Sequence, residues 1–340
     1  MTTTTDYKAT IIAELDVLRR ISVTETAGVF KARTYAAAIK TLGALPHVRS
    51  VEDLPPTQKG DGLGKEVRAK IAKIIAEGSL DISPEVRARA DALEIFAGIY
   101  GVGPKKAEEL LAAGYTTLAE LRAATAAGTL KFTKNQLAGL RFYEDINSRI
   151  PRIEMDAHAA LLMGAKPATL EGVIVGSYRR GRPDSGDIDM LVRTARADVD
   201  AGAALAEYVN ALRSLGYIRE VLAQGDHKCL AIAALPNDAV SSVAGNAEKP
   251  RARRLDLLVT PPAEFPFAVF YFTGCDTFNV RVRAHAQERG YTLNEHALTQ
   301  VSSGKTVGGI KTERDIFAAL KLKWVEPVDR TGPDAVVPLT

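Results

Sequence analysis

GSYRRGRPDSGDIDMLV, Gly176 to Val192, sets a Gly-Ser pair, Arg179-Arg180 and an Asp-x-Asp close together. Acids and arginines this near usually pair on a surface and contribute little. The alternation from Asp187 to Val192 predicts a strand, on which residues i and i+2 share a face. Asp187 and Asp189 then point the same way. Like charges so placed repel unless a cation sits between them. Hard carboxylate oxygens suit Mg²⁺.

The chain has 340 residues, enough for two or three domains, and 46% of them are hydrophobic, an ordinary globular composition. No apolar run reaches membrane-spanning length, and the N-terminus lacks the basic-then-apolar build of a signal peptide. Cys229 and Cys275 are the only cysteines, which excludes a disulfide framework and fits a reducing, intracellular setting. The five histidines show no metal-ligand spacing. Net charge is +3, and residues 1–80 hold the whole excess, with 12 Lys/Arg against 9 Asp/Glu. So small an excess is weak evidence for a polyanion and more often a solvated surface.

Residues 8–80 read as helices, from Ile11, Ile12, Leu15 and Leu18 onward. GDGLGKEVRAKIAKII (Gly60 to Ile75) and IYGVGPKKAEELLAAG (Ile99 to Gly114) resemble each other: Gly-apolar-Gly, a polar pair, then an amphipathic helix. This is the helix-hairpin-helix pattern. Its glycines (Gly62, Gly64; Gly101, Gly103) allow a tight turn and close backbone approach, and amides at the next helix start can face a phosphate. One Gly-x-Gly is most often a plain turn; two, each followed by lysines (Lys65 and Lys70; Lys105 and Lys106), say more. They hold backbone and read no base sequence.

From about residue 150 strands are predicted at Gly172–Val175, Ile188–Val192, Cys229–Ala233 and Arg254–Val259, with a helix at Ala201–Leu215 and a loop at Asn237–Pro250. Helices first and mixed strands later indicate an α+β catalytic half behind a helical half. In RRLDLLV, Asp256 stands alone in an apolar strand, where a carboxylate is costly without a partner. A salt bridge to Arg253 or Arg254 is the bland explanation; a third metal ligand beside Asp187 and Asp189 is the stronger one. Three carboxylates holding two Mg²⁺ about 4 Å apart can clamp both oxygens of a phosphoryl transfer. Gly176 lets the backbone approach a ligand, Ser177 adds a donor, and the arginines suit phosphates. Gly-Ser ahead of Asp-x-Asp marks the nucleotidyltransferase fold.

These stretches, with SRIPRIEM, YFTGCDTFNVRVRAHA and GYTLNEHAL, occur in an order and spacing that resembles the family X DNA polymerases of the polymerase beta type. The resemblance runs from about Leu15 to Arg330. It implies a helical lyase-like domain over 1–84, a second hairpin subdomain over 85–148, a nucleotidyltransferase palm with a mixed or antiparallel sheet over 149–262, and a nucleotide-selection subdomain over 263–340. It implies that Asp187, Asp189 and Asp256 hold two Mg²⁺, with Mn²⁺ able to replace them, and that Asp256 helps remove the primer 3′-OH proton. Triphosphate contacts fall to Arg149, Ser177, Arg180 and the Gly186 backbone. Tyr271, Phe272, Gly274, Asp276 and Asn279 line the nucleotide pocket; composition alone reads the two aromatics as core. Arg254 and Arg283 reach the DNA. A cis peptide between Gly274 and Cys275, where the family carries serine, is also implied. The hairpins grip DNA on either side of a gap, each with a Na⁺ or K⁺, the second through the Ile99 and Val102 carbonyls.

The resemblance further implies 5′-deoxyribose phosphate lyase chemistry with Lys70 as Schiff-base nucleophile, assisted by Lys31 and Tyr35 at a 5′-phosphate. Arg68 and Lys73 are the neighbouring cations expected to depress the Lys70 amine. Phe30, Glu66 and Ile82 depart from the family pattern where basic or phosphate-binding residues stand, which weakens the phosphate grip more than the nucleophile. No BRCT domain is expected before the helical half and no phosphoesterase domain after residue 340, an outline of viral or eukaryotic type. The implied partners are gapped or nicked DNA, dNTPs, a ligase and other repair proteins, for a soluble monomer that is nuclear in a eukaryote and in the host cytoplasm or virion for a virus. Two rivals stand against gap filling: a template-independent terminal transferase, opposed by Asn279 and Arg283, and a non-catalytic DNA-binding scaffold, opposed by the intact aspartates.

Overall fold

The computed structural model describes residues 5–23, 28–58, 60–196, 198–236 and 250–339. The loop expected at Asn237–Pro250 falls, but for Pro250, outside them. The chain forms two compact units, residues 1–143 and 144–340.

In the first unit, α1 (Lys8–Ser22), α2 (Gly28–Gly43) and α3 (Lys65–Glu77) close on Ile11, Leu15, Ala38, Leu42, Leu63, Ile71 and Ile74. Gly62 makes this possible. Its φ is +74°, and a Cβ there would stand 2.2 Å from the Ala38 amide nitrogen. The hairpin therefore lies directly on α2, and Thr41 Oγ1 ties it by donating to the Asp61 carbonyl at 2.9 Å. A second core joins α4 (Pro84–Ala97), α5 (Pro104–Ala112), α6 (Leu118–Ala126) and α7 (Lys134–Arg141) through Leu93, Phe96, Ile99, Leu110, Leu121 and Leu140. Local chemistry sets the helix starts. Ser83 caps α4 with Pro84 at its first position, and Thr117–Glu120 and Thr133–Gln136 form capping boxes for α6 and α7.

The second unit opens with β1 (Ile150–Pro151), which pairs antiparallel with β3 (Asp184–Ser185). Its main sheet contains β2 (Leu170–Ile174), β4 (Ile188–Thr194), β5 (Ile218–Gln224), β6 (Lys228–Ala233) and β7 (Arg253–Thr260), in the order β2-β4-β7-β6-β5. Only β4 and β7 run parallel; the other pairs are antiparallel. The sheet is mixed, and β2, β4, β6 and β7 end within two residues of the predicted bounds, whereas β5 has no predicted counterpart. Residues alternate along β7, so that Arg253, Leu255, Leu257 and Val259 are buried while Arg254, Asp256, Leu258 and Thr260 are not. The buried row meets helices Arg152–Ala165 and Ala201–Ser214 through Met155, Leu162, Leu205, Tyr208 and Leu212. The opposite face carries the site. A further core, built on Phe267, Phe270, Phe278, Ile316 and Phe317, joins helices Phe265–Thr273, Asp276–Glu288 and Glu313–Ala319.

Candidate active site

A cleft of about 560 Å³ opens in the second unit. It gathers Arg149, Gly176, Ser177, Arg180, Gly186, Asp187, Asp189, Tyr271, Phe272, Gly274, Asp276, Asn279 and Arg283 from across nearly half the sequence, with Val280 added. Asp256 stands beside it, because the parallel pairing sets Asp189 opposite Asp256. Asp187 lies one residue ahead of β4 rather than within it.

The charges at this edge are coupled. Asp187 accepts a hydrogen bond from Arg254 Nη2, and Lys228 Nζ lies 3.4 Å from Asp256 Oδ2. The salt bridges weighed for Asp256 are therefore not its partners: Arg253 points to the other face and Arg254 serves Asp187. Arg254 and Lys228 relieve Asp189 only in part. Burial, then the Asp187 and Asp256 charges, push its carboxyl up to about 7. As they stand the described side chains offer no point on which three ligands converge. The donor set nevertheless fits a divalent cation: three hard carboxylates, one of them held against its own ionisation by burial and by the other two. Gly176 keeps the acid in place. With φ at +66°, a Cβ there would stand 2.8 Å from Asp189 Oδ2.

The cationic wall has equally local causes. Pairing of β1 with β3 brings Arg149 alongside Asp184, which accepts from Arg149 Nε at 2.9 Å. The two-residue strands responsible leave no periodic signal, so sequence pattern reads Arg149 as a surface residue. Ser177 Oγ lies 2.9 Å from Ser185 Oγ. Arg180 Nη1 donates to the Thr273 carbonyl at 2.5 Å, directly before Gly274. Arg179 turns away from the cleft, bonding Thr273 Oγ1 at 2.6 Å and Glu313 Oε2 at 2.5 Å. Glu313 Oε1 also accepts from buried Arg330 at 2.7 Å. Neither Glu313 nor Arg330 is suggested by the motif they support.

On the far wall, Tyr271 and Phe272 meet edge to face with ring centroids 5.2 Å apart. Both are half-buried; Phe272 packs on Val175, Leu191 and Val269. Asn279 is buried, its Nδ2 donating to the Tyr271 carbonyl at 2.7 Å while Oδ1 has no hydrogen-bond partner. The Gly274–Cys275 peptide is cis.

In the first unit, Gly64 and Gly103 precede their helices with ordinary extended backbone, and nothing lies within 4 Å of a Cβ built on either. The Ile99 carbonyl accepts the Val102 amide at 2.9 Å, closing the second hairpin. Lys31 is exposed, and Lys70 and Tyr35 are half-buried. The cations expected beside Lys70 both have partners of their own, neutral oxygens for Arg68 and carboxylates for Lys73. Arg68 donates to Thr57 Oγ1 at 3.0 Å and to the Leu63 carbonyl at 2.9 Å, while Lys73 pairs with Asp81 at 3.0 Å and Glu77 at 3.5 Å.

Residues 149–262 match the family model for the DNA polymerase beta palm, and residues 268–331 match that for the DNA polymerase beta thumb. Residues 94–147 match the fingers domain of DNA polymerase lambda. The chain belongs to the family X DNA polymerases. In the family's terms the acidic edge lies on the palm and the aromatic wall at the start of the thumb. The chain is similar to DNA polymerase lambda of Rattus norvegicus, 29% identical over 343 residues covering 96% of this chain and 56% of the rat protein. It is also similar to DNA polymerase lambda of Arabidopsis thaliana, 30% identical over 315 residues covering 87% of this chain and 57% of the plant protein. It thus spans little more than half the length of these curated relatives. Family X polymerases use divalent metal ions. Among the described residues no helix is long and apolar enough to cross a membrane.

Proposed function

We propose that this chain is a template-directed DNA polymerase that fills short gaps during base excision repair, joining a dNTP to a primer 3′-OH. The observation that carries the reading is the β4–β7 register, which sets Asp189 opposite Asp256 at the edge of a cleft whose other walls are cationic and aromatic. Asp187, Asp189 and Asp256 would hold two Mg²⁺, with Mn²⁺ as substitute. Bound there, the ions would polarise the attacking hydroxyl and neutralise charge on the leaving oxygen. Asp256 would accept the hydroxyl proton. Arg149, Ser177, Arg180 and the Gly186 amide would orient the triphosphate, the arginines through planar forks suited to its oxygens. Tyr271 and Phe272 would crowd a ribose 2′-hydroxyl, Asp276 would lie by the base, and Asn279 would reach the minor groove once released from Tyr271. Arg254 would exchange Asp187 for the primer strand, and Arg283 would meet the template.

The hairpins would grip DNA on both sides of the gap. Open space at Gly64 and Gly103 supports this, because it leaves room for a phosphate to approach the amides that follow. Lys105 would add charge, and the Ile99 and Val102 carbonyls would take Na⁺ or K⁺. A lyase step at Lys70, with Lys31 and Tyr35 on the 5′-phosphate, completes the proposed repair role. The protein would act as a monomer, ahead of a ligase, and in the nucleus if eukaryotic.

Incorporation should be measured on a one-nucleotide gap, with and without a 5′-phosphate, and on the single strand. Templated insertion on the gap, enhanced by the phosphate, is expected. Untemplated extension of the single strand would instead indicate a terminal transferase, and no incorporation anywhere a DNA-binding scaffold.

A further inference from the structure

Arg253 plays no part in the chemistry above, yet it is among the most deeply buried charges of the palm, 2% exposed on the face of β7 opposite Asp256. All three guanidinium nitrogens are engaged. Nε and Nη2 donate to the two Glu154 carboxylate oxygens at 2.6 and 2.7 Å. Nη1 donates to Ser148 Oγ at 2.7 Å and to the Ser148 and Asp145 carbonyls at 3.1 Å each. The Ser148 carbonyl belongs to the peptide bond that leads into Arg149. Close by, the Ala252 amide donates to Asp145 Oδ2 at 2.9 Å, so this backbone is tied twice to the start of β7.

Glu154 has a second buried neighbour. His158 Nε2 lies 3.5 Å from Glu154 Oε1, and its Nδ1 is 2.8 Å from the buried Tyr217 hydroxyl. Burial favours the neutral acid, but His158 and Arg253 pull the Glu154 carboxyl down to about 2. A matched buried pair of this kind adds little to stability over apolar residues of the same volume. What it supplies is direction. Two residues along the strand from Arg254 stands Asp256, and one residue beyond Ser148 stands Arg149.

We propose that Arg253 is a positioning residue that locks the backbone before Arg149 to the strand bearing Asp256, so that triphosphate grip and acid share one frame. The inference rests on the polymerase reading and deepens it. A purely structural ion pair would lower the amount of folded protein without singling out Arg149.

The test is a double-mutant cycle on gapped DNA, with kcat and the nucleotide KM measured for the full chain. Wild type must first fill the gap; if it does not, the polymerase reading fails and not this coupling. Arg253→Met combined with Glu154→Leu removes both buried charges at similar volume, leaving neither alone. We expect it to raise the nucleotide KM by about tenfold, as Arg149→Ala should, with the three substitutions together no worse than either set by more than about twofold. With Arg283→Ala in place of Arg149→Ala, the losses should multiply. If the losses multiply with Arg149→Ala as well, the coupling is absent and the proposal is overturned. Melting curves check folding. Should the apolar pair unfold, the same cycle is read on Arg253→Lys, which keeps the charge but loses the fork.

Discussion

Around Asp189 almost every polar group is already engaged: Arg254 on Asp187, Lys228 near Asp256, Arg149 on Asp184, Arg180 on the Thr273 carbonyl. Around Gly64 and Gly103 there is nothing within 4 Å of where a side chain would begin. The palm builds its site inward, from side chains converging out of distant strands. The hairpins build theirs outward, from backbone left bare. A crowded site constrains its own residues, so its chemistry can be argued from internal geometry. A bare one is explained only by what comes to lie on it.

The sharpest way to break this comparison is at the acids. Asp256→Asn should lower gap-filling by a factor on the order of 10³, about 4 kcal/mol of transition-state stabilisation, while DNA affinity measured by anisotropy changes little. A near-normal rate would remove the three-carboxylate assignment. Lys70→Ala should do the reverse: lose borohydride-trapped adduct on incised abasic DNA yet keep gap filling. Wild-type trapping is itself part of the test, and persistent trapping in the variant would point to another amine such as Lys31.

Gly176→Ala and Gly103→Ala set the crowded and bare glycines side by side. The first puts a Cβ 2.8 Å from Asp189 Oδ2 at φ +66° and should cost about 1–3 kcal/mol of stability together with most activity. The second has open space and ordinary φ, so melting should hold within about 0.5 kcal/mol while affinity for gapped DNA falls. Equal melting losses would erase the distinction.

An effect on stability comparable to that of Gly176→Ala, but with a gain in place of a loss, concerns pH. Asp189 holds its proton to about pH 7 when folded but releases it near the ordinary carboxyl value of 3.8 when unfolded. The folded state then binds more protons in that window, so this group lowers stability as pH rises from about 4 to 7. Without divalent ions, Asp189→Asn should therefore raise the melting point at pH 8, by about 1–3 kcal/mol of stability, and leave it unchanged at pH 3.5. Added Mg²⁺ should shrink the gain by stabilising only the wild type.

What could be read from sequence follows the same divide. Alternation along Asp187–Val192 and Arg254–Val259 located both acid strands, because period-2 burial is a local signal. Arg149 could not be placed this way, since its position depends on a two-residue pairing with Asp184 and Ser185. Glu313, itself held by Arg330, reaches Arg179 from more than a hundred residues downstream, and no spacing rule predicts such a contact. Around Lys70 the sequence offered Arg68 and Lys73 as neighbouring cations; the carbonyls on Arg68 leave its charge in place, whereas carboxylates offset that of Lys73. The hairpin glycines were legible, but Gly62 and Gly101 owe their place to the turn, with φ of +74° and +81°, whereas Gly64 and Gly103 do not.

The parallel pairing of β4 with β7 also sets an order of events during synthesis. β4 and β2 can meet as soon as both have emerged, but β7 follows only after a long crossover through β5 and β6. Until β7 inserts between β4 and β6, Met190 and Val192 have neighbours on β2 alone and the half-built sheet exposes a raw edge. A nascent chain paused in that interval is the form most open to wrong partners, so the strand that completes the acid cluster is also the one that closes the sheet against aggregation.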